Sequence, residues 1–90
     1  STVALKRIDP TTSHTGDGWN AQKTGRMVWL TFSNANSPVE LPEVLRPSSH
    51  GRMVVVDSNG ATARAIVNNS TNAIYWDKLT DVYGTITYFT

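Results

Sequence analysis

Leu41-Pro42-Glu43-Val44-Leu45-Arg46-Pro47 divides the chain into two halves rich in strand-forming residues. Prolines at positions 42 and 47 fix φ at their own positions and push Leu41 and Arg46 toward extended geometry. Neither proline has a backbone donor, so the stretch reads neither as a central strand nor as a helix interior. The expectation is a stiff, extended crossover that carries Leu41, Val44 and Leu45 against a core.

Upstream of it, Met27-Val28-Trp29-Leu30-Thr31-Phe32-Ser33 is the clearest strand. Val28, Leu30 and Phe32 point one way and Met27, Trp29 and Thr31 the other, so both faces are largely apolar. A strand of this kind is either covered on both sides or meets another subunit. Lys23-Thr24-Gly25-Arg26 reads as a tight turn into it, preceded by Trp19 and the polar stretch Asn20 to Gly25. Asp9 to Gly18, rich in Pro, Thr, Ser, Gly and Asp, has the chemistry of a loop. Val3, Leu5 and Ile8 allow a short strand over Ser1 to Ile8.

Downstream, Ser33 to Pro38 is a turn cluster, and Ser48 to Gly51 turns the chain into the β-branched run Arg52 to Val56. Asp57-Ser58-Asn59-Gly60 is the strongest hairpin signal, since Asn-Gly suits positive φ. From Ala61 to Val67 the pattern alternates, with Ala63, Ala65 and Val67 on one face and Thr62, Arg64 and Ile66 on the other. Asn68 to Asn72 is a further turn, Ala73 to Trp76 a short strand, Asp77 to Asp81 a loop, and Tyr83 to Phe89 a closing strand. No apolar 3.6-residue period of useful length occurs. These features predict an all-β domain, a small antiparallel β-sandwich or barrel of six to eight strands.

Ninety residues make one domain, and 39% hydrophobic content with eight aromatic residues supplies a core. The absence of cysteine removes disulfides and thiolate metal sites as staples, and a small domain without staples often gains stability by oligomerising. A net charge of +1 with scattered basic residues argues against a nucleic-acid partner. No apolar run is long enough to span a bilayer, and the N-terminus has no signal-peptide core. The chain begins at Ser1 rather than Met, as expected of a fragment or processed product.

The residues do not point to catalysis. His14 and His50 both lie in loop segments, and no elbow motif surrounds a serine. Asp9, Asp17, Asp57, Asp77 and Asp81 are dispersed at turns, where Asp bonds local backbone amides. Asp77 to Asp81 lacks the glycine and terminal glutamate of a calcium loop, so neither a metal nor a cofactor is expected. Asn68-Asn69-Ser70 and Asn69-Ser70-Thr71 fit the glycosylation sequon but read as turns. The aromatic residues carry more. Trp19 follows a polar loop, Trp29 lies on the outer register of a strand, and Trp76 ends a strand beside Asp77. A tryptophan flanked by carboxylate, amide and guanidinium is how sugar sites are built, the ring stacking on the sugar while the polar groups bond its hydroxyls. Trp76, Arg64, Asp77, Tyr83 and His50 are the candidate saccharide-binding residues.

Four pieces in order carry a family resemblance: Thr24-Gly25-Arg26-Met27-Val28-Trp29-Leu30, then Leu41-Pro42 before Arg46-Pro47, then Met53 to Gly60, and the closing Tyr83-Gly84-Thr85-Ile86-Thr87-Tyr88. With that order and spacing the chain from Lys23 onward resembles the C-terminal head domains of phage tail-fibre and baseplate receptor-binding proteins. The resemblance implies residues 23–90 as the head, with 1–22 as a lead-in strand and polar loop. It implies a homotrimer at the tail tip of the virion, among other tail and baseplate proteins, that binds host cell-wall polysaccharide without enzyme activity. In the lactococcal members a Trp, a His and an Asp on a neighbouring strand, and an Arg near the closing strand, form the sugar site. The Trp position falls on Trp76, whereas the others fall on Arg64, Ile66 and near Tyr83, so the polar set differs here. The rival expectation is a structural virion protein, a decoration or tail-tip module making only protein contacts. A glycan depolymerase would require two carboxylates facing each other in a groove.

Overall fold

Alternation of apolar and polar side chains at a period of two dominates the computed structural model, which describes residues 10–90. Eight strands follow one another: β1 (Thr11–Gly16), β2 (Trp19–Thr24), β3 (Met27–Ala35), β4 (Val39–Glu40), β5 (Gly51–Val56), β6 (Thr62–Asn68), β7 (Ala73–Tyr75) and β8 (Val82–Phe89). The only helical element among the described residues is one 3-10 turn, Glu43–Leu45. All strand pairs are antiparallel, in the order β1-β2-β3-β8-β5-β6-β7-β4, and the single sheet curls into a half-barrel. The all-β expectation therefore holds, with one curled sheet doing the work of two layers. The strand expected over Ser1 to Ile8 lies outside the described residues.

The core fills the concave side. On β3, Val28, Leu30 and Phe32 are buried while Trp29 remains 42% exposed, as its alternation predicts. On β6, Ala65 and Val67 are buried and Thr62, Arg64 and Ile66 face out. On β8, Val82 is buried and Ile86 and Tyr88 pack on the core, leaving Tyr83 and Phe89 outside. The β5–β6 hairpin closes through Asp57, whose carbonyl accepts from Gly60 N–H (3.1 Å) and whose Oδ1 accepts from the Asn59 and Ala61 amides (both 2.9 Å). Only Gly60 takes positive φ, +86°, so the turn is type I followed by a left-handed glycine.

Two sequence readings are corrected. Within the stretch read as a loop from Asp9 to Gly18, Thr11–Gly16 is a strand that pairs residue for residue with β2. The turn between them is Asp17-Gly18. Gly18 has φ +79°, and a Cβ there would sit 2.7 Å from the Ala35 Cα, so conformation and space both require glycine. The expected division at 22/23 accordingly falls inside β2, whose Ala21 is fully buried in the common core. Val44 is also misassigned. Leu41 and Leu45 are buried, but the chain between the two prolines forms a 3-10 turn that leaves Val44 45% exposed. With three residues per turn, neighbouring side chains there point in different directions.

The crossover is held by the β6–β7 turn. Asn72, buried at φ 56°, donates from Nδ2 to the carbonyls of Leu41 (2.8 Å) and Pro42 (3.1 Å), and its own carbonyl accepts from Leu41 N–H (3.0 Å). Arg46 forms a fork with Glu43 (2.8–2.9 Å) and donates onward to the carbonyls of Asn69 and Ser70. From the other side Tyr88 donates its hydroxyl to the Leu45 carbonyl (2.7 Å); burial pushes this phenol up to about 12, so it remains a protonated donor.

Asn72→Gly keeps the left-handed backbone but removes both side-chain bonds, and should cost about 1–3 kcal/mol in urea unfolding. Asn72→Ala should cost about 1–2 kcal/mol more, because a Cβ is disfavoured at that φ. Equal stability of the two variants would show that the backbone there relaxes freely.

Candidate functional site

Asp17 is lifted to the tip of the β1–β2 turn, and at that tip the turn meets the connection from β3 to β4. The groove between them holds about 310 Å³, and Asp17, Trp19, Asn34, Asn36, Val39 and Glu40 are among its lining residues. Trp19 begins β2 and pairs with both Gly16 and Phe32. Its indole lies against Gly16 so closely that a Cβ there would collide with the ring, so glycine leaves the ring its place over the hairpin end. The ring is partly exposed and partly packed on the core.

Asn34 reaches the groove because β3 is irregular between Phe32 and Ala35, where Asn34 takes φ 56°. The Tyr83 hydroxyl donates to Asn34 Oδ1 (2.7 Å), which leaves the Asn34 amide protons free to donate. Asn36 is pinned by Asp81: its Oδ1 accepts from Asp81 N–H (3.0 Å) and its Nδ2 donates to Asp81 Oδ1 (3.3 Å). Asp17 and Glu40 have no cationic partner within 4 Å among the described residues, where the one salt bridge is Arg46–Glu43. The groove thus offers an aromatic face, two carboxylate acceptors and amide donors. That is the combination that accepts the hydroxyl protons and the apolar face of a sugar.

The five residues expected from sequence do not form one site. Trp76 is a core residue, 6% exposed, with its ring tilted against Phe32 at 5.4 Å between centroids. Its Nε1 donates to the Leu79 carbonyl (3.0 Å), so neither face of this ring is open to a sugar. Arg64 and Tyr83 are exposed on the outer face, separated by Val56, which pairs with Thr62 on one side and Tyr83 on the other. Asp77 and Arg64 each lie two residues past the Ile66–Tyr75 pair, at one end of the β6–β7 ladder, without an ion pair between them. His50 precedes β5, about 20 Å from the Val56–Tyr83 pair at about 3.3 Å per residue. Tyr83 alone touches the Trp19 groove, through Asn34.

Sequence reasoning flagged Trp19 but missed Asp17, Glu40, Asn34 and Asn36. The Asp17-Gly18 dipeptide was the available signal for a hairpin tip; nothing local marks Glu40. Among the described residues, no three His, Asp or Glu side chains gather closely enough to hold a metal ion, and no helix is long and apolar enough to cross a membrane. Compared with known protein families and with curated proteins, the chain matches none.

Trp76→Ala should destabilise the fold by about 3–5 kcal/mol, as expected for a buried aromatic truncation. Trp29→Ala, on the outer face, should cost under about 1 kcal/mol at dilutions where the chain is monomeric. Denaturant unfolding of the two variants checks the assignment.

Proposed function

We propose that this chain is a receptor-binding head domain of a phage tail, which recognises host cell-envelope saccharide without catalysis. The observation that carries the reading is the Trp19 groove. It combines the Trp19 ring, packed against Gly16, with the Asp17 and Glu40 carboxylates and the Asn34 amide. The resemblance of the chain from Lys23 onward to phage receptor-binding heads supports the same reading. The saccharide site moves from Trp76, which is buried, to Trp19.

Such a site binds weakly, because sugar hydroxyls exchange water bonds for protein bonds at little net gain. Linking several sites raises avidity steeply. The outer face of β3 and β8 supports assembly: Met27 pairs with Phe89, and Trp29 stands one step along β3 on the same face. A homotrimer joined through this face, on a tail tip with other baseplate proteins, accounts for apolar side chains that a monomer would leave wet. The same exposed residues favour a second reading, a structural virion module whose outer faces make protein contacts only.

Binding of the purified chain to cell-wall polysaccharide from candidate bacterial hosts separates the two readings, with oligomeric state followed by light scattering. Asp17→Asn preserves the turn and Glu40→Gln preserves shape. Each should weaken binding at least about tenfold, the scale of a lost charge-assisted bond, with unchanged unfolding midpoint and unchanged trimer. Binding in both variants that is unchanged from wild type overturns the site. A trimer that binds no wall fraction favours the structural module, and a strict monomer removes the assembly.

A further inference from the structure

A second concavity, of about 340 Å³, lies on the β5–β6 side of the molecule and is lined by His50, Gly51, Arg52, Ile66 and Asn68. Its side-chain chemistry is one-sided. Asn68 is committed to its own turn: Oδ1 accepts from the amides of Ser70 (2.9 Å) and Thr71 (3.1 Å). Its Nδ2 donates to the Tyr75 hydroxyl (3.1 Å), which leaves the Tyr75 proton to be given elsewhere. Tyr75 stands beside Ile66 by register and is exposed. His50 Nδ1 accepts from the Asn69 amide (3.2 Å), so the neutral ring carries its proton on Nε2 and offers a donor there. Arg52 pairs with Ile66 across β5–β6 and has no carboxylate within 4 Å among the described residues.

Arg52 and His50 therefore supply donors along the Ile66 wall, Tyr75 adjoins the lining through its bond with Asn68, and no side chain of the set has an uncommitted carbonyl or carboxylate. Arg64, paired with Val54, is the diagonal neighbour of Arg52 on the same face and adds positive potential. Two carboxylates lie toward this face by register: Asp77, two residues past the Tyr75 partner of Ile66 at the Arg64 end and without an ion pair to Arg64, and Glu40, which pairs with Ala73, the partner of Asn68, and so lies two strands away on the sheet edge. A neutral sugar needs acceptors for its hydroxyl protons, whereas an anion needs only donors. A planar guanidinium is the group best shaped to bind two oxygens of one anion.

We propose that this concavity is an anion-binding site that takes a carboxylate or a phosphate group, with Arg52 as the principal contact and His50 Nε2–H and Tyr75 O–H as supporting donors. It is separate from the Trp19 groove, where the side chains supply carboxylate acceptors.

Amide NMR of the full chain at constant ionic strength in chloride tests it, with inorganic phosphate, glucuronate and glucose as probes. Saturable shifts of the Gly51, Arg52 and Asn69 amides are expected with phosphate or glucuronate and not with glucose. A tighter response to phosphate assigns the ligand as a phosphate group, and a tighter response to glucuronate as a carboxylate. Arg52→Gln should weaken the response at least about tenfold, and Arg52→Lys should weaken it less, since it keeps the charge and loses the fork. Non-saturating shifts, an equal response to glucose, or an unchanged response in Arg52→Gln overturns the site. Shifts at Gly18 and Glu40 report the Trp19 groove separately, so failure of the saccharide reading leaves this result standing.

Discussion

The fold depends on the clamp between the Leu41–Pro47 crossover and the Asn68–Asn72 turn. The chain leaves β3 in the middle of the sheet and must reach the far edge, where β4 pairs with β7 over only two residues. A ladder that short does not hold an edge strand by itself. Asn72 supplies the missing bonds by satisfying the carbonyls of Leu41 and Pro42, and Arg46 ties the 3-10 turn to the carbonyls of Asn69 and Ser70. With the crossover fixed, Leu41 and Leu45 are buried in the common core. The two prolines contribute by restricting the chain on either side of the turn, so less entropy is lost when the clamp forms.

That clamp also positions the candidate site. Glu40 is the residue just before Leu41, and it lines the Trp19 groove because β4 is held in register with β7. The opposite wall, Asp17 and Trp19, comes from a hairpin whose tip can approach β3 only because Gly18 has no side chain. Ser33 N–H donates to the Gly18 carbonyl (2.8 Å), so the tip is bonded to the strand it approaches. The groove is therefore a product of two tertiary contacts, neither of them local.

This explains what could be read from the chain beforehand. The strands β3, β6 and β8 announce themselves because each buries one face, which imposes a period of two on Val28, Leu30 and Phe32 or on Ala63, Ala65 and Val67. The Asp57–Gly60 turn is legible because its hydrogen bonds come from its own residues. β1 is not legible: it lies at the sheet edge with almost no buried side chain, so no apolar alternation marks it and its Thr and Ser residues resemble a loop. Trp76 misled for the opposite reason. Its neighbour Asp77 suggests a surface site, but the ring packs on Phe32 across the core and its Nε1 donates to the Leu79 carbonyl. The candidate groove assembles Asp17, Asn34 and Glu40 from three separate segments, and no spacing in the sequence records their meeting.

The most direct test of the account is the set of tryptophan indole signals in the NMR spectrum of the intact chain, followed while cell-wall saccharide fragments are added. Trp19, Trp29 and Trp76 occupy a groove wall, an outer face and the core respectively, so each signal reports a different account of binding. With saccharide in the Trp19 groove, the Trp19 indole shifts in step with the amides of Gly18 and Asn34 while Trp76 stays fixed. A saccharide that moves Trp29 or Trp76 and leaves Trp19 unmoved, or a panel in which none moves Trp19, would contradict it.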